Sequence, residues 1–237
     1  MYEARLRETL PAVRERLERA AEQAGRGPVC LVAVTKGHPP AAVLAAWRAG
    51  LRDFGENRVA ELESKRSAVR DLVPAADAGA TWHLIGHLQR NKVRRALPLA
   101  ALIHSVDSER LAVELSREAE RAGLTLEVLL EANVSGEASK AGFGSAGGLL
   151  EAAARITALP GLRVSGLMTM APYTADEPLL RSTFRGAREL FERCGAEVPG
   201  FAAVHLSMGM SNDFEIAIEE GSTMVRLGTV LFGERQP

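Results

Sequence analysis

Lysine is scarce in this chain of 237 residues. Of its 29 basic residues, 25 are arginine and four are lysine: Lys36, Lys65, Lys92 and Lys140. Both types serve as solvated surface charge, but only lysine can lose its proton and act as an amine nucleophile. The alternative is that codon bias leaves four lysines with no special role, so the position of each lysine must decide whether it has a chemical role.

Other features are also missing, and each absence excludes a class of protein. The formal net charge is −1, which provides no field for nucleic acid or an anionic membrane. No apolar run is long enough to span a bilayer, and the charged N-terminus lacks the apolar stretch of a signal peptide. The two cysteines, Cys30 and Cys194, offer no disulfide framework and suit a reducing compartment. We therefore expect a cytoplasmic protein that binds neither nucleic acid nor membrane.

Short apolar runs alternate with helical patterns along the chain. The eight runs cover residues 30–34, 51–55, 82–86, 101–106, 126–134, 162–168, 202–208 and 223–228. They are short and mostly unalternating, as strands buried on both faces are. Eight strand–helix units in this length predict an α/β fold, a single (β/α)8 TIM barrel over residues 1–237. The alternative is a doubly wound sheet, which usually has fewer strands and carries a phosphate loop after the first one.

Helices are predicted from apolar spacing and from end signals. Apolar residues at helical spacing between Leu6 and Leu17 predict an extra N-terminal helix, with Thr9 as cap and Pro11 in the first turn. Three further helices are expected. They are residues 109–122 between Asp107 or Ser108 and Gly123, 177–194 between Asp176 and Gly195, and 213–220 between Ser211 or Asn212 and Gly221. Asn212 and Glu215 have the spacing of a capping box.

Lys36 ends the first predicted strand, and functional groups of a barrel lie at the C-terminal ends of its strands. An apolar run leading into a lysine places the amine partly out of water, which favours its neutral, nucleophilic form. The alternative is a lysine that extends from the strand end into solvent.

The last two strands carry a second signal. Phosphate sites in barrels are often built from the loops after strands seven and eight, with backbone N–H groups as donors. Gly228 would let an anion approach the backbone, and Ser207, Ser211 and Thr229 offer hydroxyls. The alternative is two ordinary turns with helix caps.

Arg226 lies two residues before Gly228 and therefore on the same side of strand eight. A buried arginine needs a partner, either an ion pair with Glu56 or Glu131 or an acceptor on the ring of a ligand. An amine, a phosphate cradle and a ring-facing cation together describe a site for pyridoxal 5′-phosphate (PLP).

Three patterns favour ordinary structure. The glycines Gly142, Gly144 and Gly147 match a dinucleotide-binding spacing but start well past the apolar part of their strand. His83 and His87 lie on a strand-to-loop stretch, so we expect no metal site. The basic run of residues 89–95 is expected to be a solvated helix face.

Long stretches of the chain resemble the YggS/PROSC family of PLP homeostasis proteins, whose fold is the barrel of alanine racemases. The matching stretches are LVAVTKG, FGENRVAE, WHLIGHLQRNK, IHSVDS, NVSGEASKAGF, GLMTMAP and the block from 206 to 235. They follow one another over almost the whole chain, and the last is long and specific.

The resemblance implies that Lys36 holds PLP as an internal aldimine, with Arg226 facing the pyridine nitrogen. It places Ser207, Gly228 and Thr229 around the phosphate. Because two adjacent cations repel each other, an arginine at that nitrogen disfavours its protonation and weakens the ring as an electron sink.

Asn57 and Met168 are likewise implied to line the cofactor. Racemases of this fold use a tyrosine from a further domain of a partner subunit, whereas the tyrosines here are Tyr2 and Tyr173. We therefore expect a non-catalytic, monomeric carrier of PLP, with apo PLP-dependent enzymes as recipients and no catalytic residues. The alternative is an amino-acid racemase or related enzyme with Tyr173 or another residue as second base; a third reading is a barrel for another phosphorylated ligand.

The remaining lysines differ in their expected roles. Lys140 follows strand five in a matching stretch, and either takes the aldehyde during loading and release or is a surface lysine. Lys65 is expected on an exposed helix face, and Lys92 has no assigned role.

Overall fold

A computed structural model of the chain describes residues 1–134 and 141–234. Eight parallel strands pair in sequence order and close into a barrel, with β1 beside β8. The strands are β1 Cys30–Val34, β2 Asp53–Glu56, β3 Thr81–Leu84, β4 Leu102–Val106, β5 Leu126–Glu131, β6 Leu162–Met168, β7 His205–Ser207 and β8 Met224–Leu227. The predicted (β/α)8 TIM barrel is confirmed.

Helices surround the strands. They are α1 Tyr2–Gln23, α2 Pro40–Arg48, α3 Val59–Leu72, α4 Pro74–Ala78, a 3-10 turn Arg90–Lys92, α5 Val93–Ala96, α6 Glu109–Ala122, α7 Ala146–Thr157, α8 Glu177–Glu197, α9 Phe214–Glu219 and α10 Thr229–Phe232. No helix in these two ranges is long and apolar enough to cross a membrane.

Strand side chains face two separate apolar layers. A small cluster joins strands that are far apart around the barrel, so it fills the interior; it consists of Cys30, Val32, Leu102, Leu129, Met168 and Met224. The larger cluster lies between the strands and the helices. Burial on both faces explains why the strands read as continuous apolar runs, with all five residues of β4 buried.

The N-terminal helix is confirmed, but its predicted start is wrong. The helix begins at Tyr2, and Pro11 lies in its interior. Pro11 is exposed, so its ring lies on the solvent face of the helix, and as a proline it cannot donate to the carbonyl of Arg7. Thr9 does not cap the helix, because its hydroxyl donates to the carbonyls of Arg5 and Leu231 and thereby joins α1 to α10.

The ends of α6 are confirmed, whereas the predicted end of α8 is wrong. Ser108 caps α6 by accepting from the Leu111 N–H, and Gly123 ends it in the left-handed conformation. The helix α8 begins after Asp176 as predicted but continues through Gly195 to Glu197. A Cβ at position 195 would lie 2.9 Å from the Cβ of Ala203, so this glycine permits close packing instead of ending the helix.

The capping box predicted before α9 is also absent. The N-cap is Asp213, and no side chain caps the helix. Glu215 forms an ion pair with Arg16 of α1 at 2.6 Å instead. This contact attaches the N-terminal helix to the barrel.

Candidate functional site

The C-terminal ends of five strands carry the residues that the sequence singled out. Lys36 follows β1, Asn57 follows β2, Met168 and Ser207 end β6 and β7, Arg226 lies in β8, and Gly228 and Thr229 follow it. β6, β7, β8, β1 and β2 are consecutive around the barrel, so all seven residues occupy one side of its C-terminal end.

Lys36 lies in a tight turn and is half-buried, as expected of an amine at a strand end. The turn is closed by the His38 N–H, which donates to the Thr35 carbonyl at 2.9 Å. Gly37 has φ +75°, the conformation that the third residue of a type II turn requires. The lysine is therefore presented from a fixed turn.

Arg226 is buried inside the barrel beside β1, in register with Val32. Its guanidinium donates to Ser207 Oγ at 2.6 Å and to the Thr169 carbonyl at 3.0 Å. Burial lowers the pKa of Arg226 to about 10, with Asp213 and Glu131 opposing that shift. Both acceptors are neutral oxygens, so the barrel holds a cation without direct charge compensation from them.

The ion pair considered for Arg226 is not present within residues 1–134 and 141–234. Glu56 pairs with Lys65 instead. Glu131 is buried, and burial together with the charge of Asp107 raises its pKa, while the charge of Arg226 opposes that shift.

Ser207 begins a hydrogen-bonded chain through the barrel interior. His104 Nδ1 lies 3.0 Å from Ser207 Oγ, and His104 Nε2 lies 2.9 Å from His83 Nδ1. His83 Nε2 lies 3.1 Å from Asp53 Oδ1 at the other end of the barrel. One set of tautomers satisfies every link. Arg226 donates to Ser207, Ser207 to His104, His104 to His83, and His83 to the Asp53 carboxylate.

His104 is kept neutral by this environment. It is fully buried, and burial lowers its pKa well below the usual value, with His83 and Arg226 acting in the same direction. The Ser207 hydroxyl is therefore engaged with the arginine side of the site. The predicted contact of Ser207 with a phosphate stays a prediction. The serine that contacts Gly228 is Ser211.

The loops after β7 and β8 meet at Ser211. The backbone N–H groups of Gly228 and Val230 both point at Ser211 Oγ, each at 3.4 Å. Gly228 also packs against β1, since a Cβ there would lie 3.1 Å from the Val34 carbonyl. Thr229 is exposed at the start of α10. Two N–H groups that converge on one oxygen are also suited to binding a phosphate oxygen.

Asn57 and Met168 lie at different depths. Asn57 is partly exposed, and its Oδ1 is buried without a hydrogen-bond partner in the described part of the chain. Met168 is buried in the interior cluster. Within that part of the chain, Asn57 thus has a polar atom without a protein partner, whereas Met168 belongs to the apolar interior.

The two tyrosines and the last lysine have distinct locations. Tyr2 OH lies 3.2 Å from His38 Nδ1, next to the Lys36 turn. Tyr173 is 91% exposed. Lys140 lies outside the described residues.

Sequence reasoning missed three members of this region: Lys65, Thr169 and His104. Lys65 was expected on an exposed helix face, which is wrong, because it is buried among Thr35, Glu56 and Glu61. The four-residue spacing of Glu61 and Lys65 could have indicated the pair. The contacts of Thr169 and His104 have no sequence signal, because their partners are on other strands.

Metal-binding side chains do not gather in this region. Within residues 1–134 and 141–234, no group of three or more His, Cys, Asp or Glu residues could hold a metal ion. His87 pairs with Asp107 at 2.8 Å, whereas His83 joins the interior chain.

Comparison with known proteins places this geometry in a family. The model of the alanine racemase N-terminal domain matches residues 9–236. An alanine racemase of Clostridium difficile superposes with a TM-score of 0.77 over 99% of this chain and 57% of that chain, and at 13% identity it shows the fold alone. The chain thus has the barrel of alanine racemases.

Relatives of higher identity define the family more narrowly. A pyridoxal phosphate homeostasis protein of Aquifex aeolicus is 43% identical over 231 residues, 97% of this chain and 98% of that protein. A pyridoxal phosphate homeostasis protein of Pseudomonas aeruginosa is also 43% identical, over 96% of this chain and 95% of that protein. The chain belongs to the family of pyridoxal phosphate homeostasis proteins.

Solved structures agree. A protein of Bifidobacterium adolescentis has a TM-score of 0.90 at 37% identity, covering 98% of this chain and 96% of that chain. PipY of Synechococcus elongatus PCC7942, solved with PLP bound, has a TM-score of 0.79 at 37% identity, covering 92% of this chain and all of that chain.

Proposed function

We propose that this chain is a single PLP-binding barrel domain that holds PLP for intracellular homeostasis without catalysing a reaction of its own. The observation that carries the proposal is Arg226, a buried guanidinium bound by a hydroxyl and a carbonyl beside β1, the strand that Lys36 follows. A buried cation with neutral partners is suited to a neutral acceptor such as an unprotonated pyridine nitrogen.

The residues present fit the cofactor. When bound, PLP supplies an aldehyde that condenses with a lysine amine, and Lys36 Nζ would form that link. The N–H groups that converge on Ser211 would accommodate the phosphate, together with Gly228 and Thr229. Asn57 and Met168 would contact the ring from the neighbouring strand ends. Ser207 would hold Arg226 in place.

Two observations support a carrier over a catalyst. Arg226 remains charged near neutral pH even though burial lowers its pKa to about 10, and a cation there would disfavour protonation of the pyridine nitrogen and weaken the ring as an electron sink. Tyr173, the candidate second base, is 91% exposed.

The free thiols of Cys30 and Cys194 support a cytoplasmic location.

The proposal has two further parts. The protein is a monomer, and it transfers PLP to apo PLP-dependent enzymes. Light scattering of the purified protein tests the first part. Reactivation of an apo aminotransferase, measured against an equal concentration of free PLP, tests the second.

Absorbance of the purified protein tests the central claim. Addition of PLP should give a visible band that borohydride abolishes, leaving a pyridoxyl group on Lys36 in peptide mass spectra. Lys36→Arg should lose the band, whereas Lys92→Arg, as matched control, should keep it. A wild-type protein that retains no visible band once free PLP has been removed by gel filtration would refute the proposal.

The enzyme alternative has its own measurement. Exchange of the α-deuteron of an amino acid by the loaded protein, at rates on the order of 1 s⁻¹ or more, would identify a racemase or related enzyme. We expect no exchange above that of free PLP.

A further inference from the structure

Lys65 is buried by the fold, with its side chain 5% exposed. Its Nζ donates to the Thr35 carbonyl at 2.5 Å and to one carboxylate oxygen of Glu56 and of Glu61, each at 2.7 Å. An ammonium has three N–H bonds, so these three acceptors use all of them. Lys65 therefore has no donor left for a ligand, and its role must be carried by the groups that it binds.

The residue before Lys36 is attached to Lys65 in two ways. The Thr35 carbonyl accepts from Lys65, and it also accepts the His38 N–H that closes the turn. The Thr35 hydroxyl donates at 2.5 Å to the oxygen of Glu56 that Lys65 holds. Both the backbone and the side chain of Thr35 are thus fixed by one ammonium.

The residue after Lys36 is attached through Glu61. The Gly37 N–H donates to Glu61 Oε1 at 2.6 Å, and the same oxygen accepts from Lys65. Partial burial alone would raise the pKa of Glu61, but the hydrogen bonds from Lys65 and Gly37 outweigh it and leave that pKa below its usual value. Glu61 therefore stays ionised and continues to accept the hydrogen bond from the Gly37 N–H.

The residue type at position 65 matters in a chain that otherwise prefers arginine. Three acceptors around one atom match the compact ammonium of lysine, whereas the planar guanidinium of arginine directs its donors outward as a fork. An arginine would also need room that a side chain 5% exposed does not have.

We propose that Lys65 is a positioning residue, which fixes the direction in which the Lys36 side chain leaves the end of β1. The proposal rests on the proposed function in one respect, namely that Lys36 Nζ is the amine that links to PLP. It adds that the flanking residues Thr35 and Gly37 are held by a single buried charge.

Stopped-flow absorbance of the full chain with PLP separates positioning from general stability. In Lys65→Met, the rate constant for covalent linkage at saturating PLP should fall by about tenfold or more, since small misplacements of a reacting group have effects of this size. The PLP concentration at half-maximal rate should stay unchanged, because the loops after β7 and β8 would bind the phosphate. In Lys65→Arg, the rate constant for covalent linkage should fall in the same way, although the positive charge is kept.

Val69→Ala is the matched control. Val69 is fully buried one turn further along α3, so its truncation weakens the same helix without removing a contact to Thr35 or Gly37. At a matched loss in melting temperature, its linkage rate constant should stay within about twofold of wild type.

A second readout needs no PLP. With four lysines in the chain, lysine-selective 13Cε NMR gives four signals, and the Lys36 signal is assigned by its loss in Lys36→Arg. That signal should move in Lys65→Met and in Glu61→Ala, which releases the Gly37 N–H, but not in Val69→Ala. Glu61→Ala also replaces Lys65→Met in the kinetics if the latter does not fold.

The outcomes are distinguishable. If wild type forms no link with PLP, the proposed function fails and the NMR comparison alone decides this inference. If wild type does form the link, a linkage rate constant in Lys65→Met or Glu61→Ala equal to that of Val69→Ala overturns the inference.

Discussion

Arg226 donates to Ser207 Oγ at 2.6 Å, from β8 to β7, inside the barrel. The same hydroxyl is 3.0 Å from His104 Nδ1, so one serine joins the buried cation to the chain of imidazoles. Because the serine has a single proton, accepting from Arg226 directs that proton to His104. The position of the guanidinium and the tautomer of His104 are therefore linked.

Ser207→Ala should reduce the free energy of unfolding by about 1–3 kcal/mol, because it leaves a buried N–H and a buried imidazole nitrogen without partners. It should also speed the dissociation of PLP, since Arg226 is less well held. Urea denaturation and the decay of the visible band after dilution measure the two effects.

Ser165→Ala is the matched control, because Ser165 is equally buried but its hydroxyl has only a 3.5 Å contact to the Val128 carbonyl. It should cost about 1 kcal/mol or less and leave PLP dissociation unchanged. Equal losses in the two variants would show that Ser207 has no special partner.

Arg226→Met should separate stability from function. Within the described ranges the partners of this buried guanidinium are a hydroxyl and a carbonyl, so an apolar side chain of similar length should leave the free energy of unfolding unchanged or higher. Retention of PLP should weaken by about tenfold or more if the lost hydrogen bond is charge-assisted. A large loss of stability with unchanged retention would contradict a role for Arg226 at the cofactor.

His104 should make the protein less stable in weak acid. Burial holds the pKa of His104 well below 6.5. Below pH 6.5 the imidazole therefore binds a proton in the unfolded chain but not in the folded chain. The contribution is constant above pH 6.5 and is lost as pH falls below it, by up to about 1.4 kcal/mol per pH unit.

The measurement is the difference between wild type and His104→Gln in free energy of unfolding from pH 5 to 8. His205, whose pKa is also lowered by burial, has the same sign, and Glu56, Glu131 and Asp213, whose pKa values burial raises, have the opposite sign. These groups are common to both proteins and largely cancel. Parallel curves below pH 6.5 would mean that His104 is not held neutral.

Gly228→Ala should destabilise the protein by about 1–3 kcal/mol, because the added methyl lies against the Val34 carbonyl and must part the ends of β1 and β8. It should weaken PLP retention as well. Gly147→Ala is the control: a Cβ there meets nothing within 4 Å in α7, so it should stabilise by about 0.5–1 kcal/mol. Thermal melts of both variants, with and without PLP, check this.

Both thiols should be slow to react. Burial and the nearby Asp53 raise the pKa of Cys30 to about 12, and burial raises the pKa of Cys194 to about 11. At pH 8 the thiolate fraction should be about a hundredfold to a thousandfold below that of a free cysteine. A disulfide reagent should therefore modify the native chain slowly and the urea-unfolded chain at once; rapid modification of native protein would contradict this.

The sequence by itself determined the barrel and the place of Lys36. Strand and helix periodicities are local, so eight apolar runs with helical segments between them were sufficient, and a lysine directly after the first run had to lie at a strand end. Capping signals located α6 in the same way, because Ser108 and Gly123 act on their own backbone.

Only the tertiary structure decided which side chains contact each other across different helices and strands. Gly195 and Pro11 were misread because a glycine can serve close packing and a proline can occupy an exposed helix face. The contacts of Lys65 and Ser207 form only when the barrel closes. Lys65 of α3 then reaches the carbonyl before Lys36, and Ser207 of β7 lies between Arg226 and His104. A hydrogen bond between side chains on different elements depends on strand register, which is set by the closure of the whole sheet and not by any local stretch of residues.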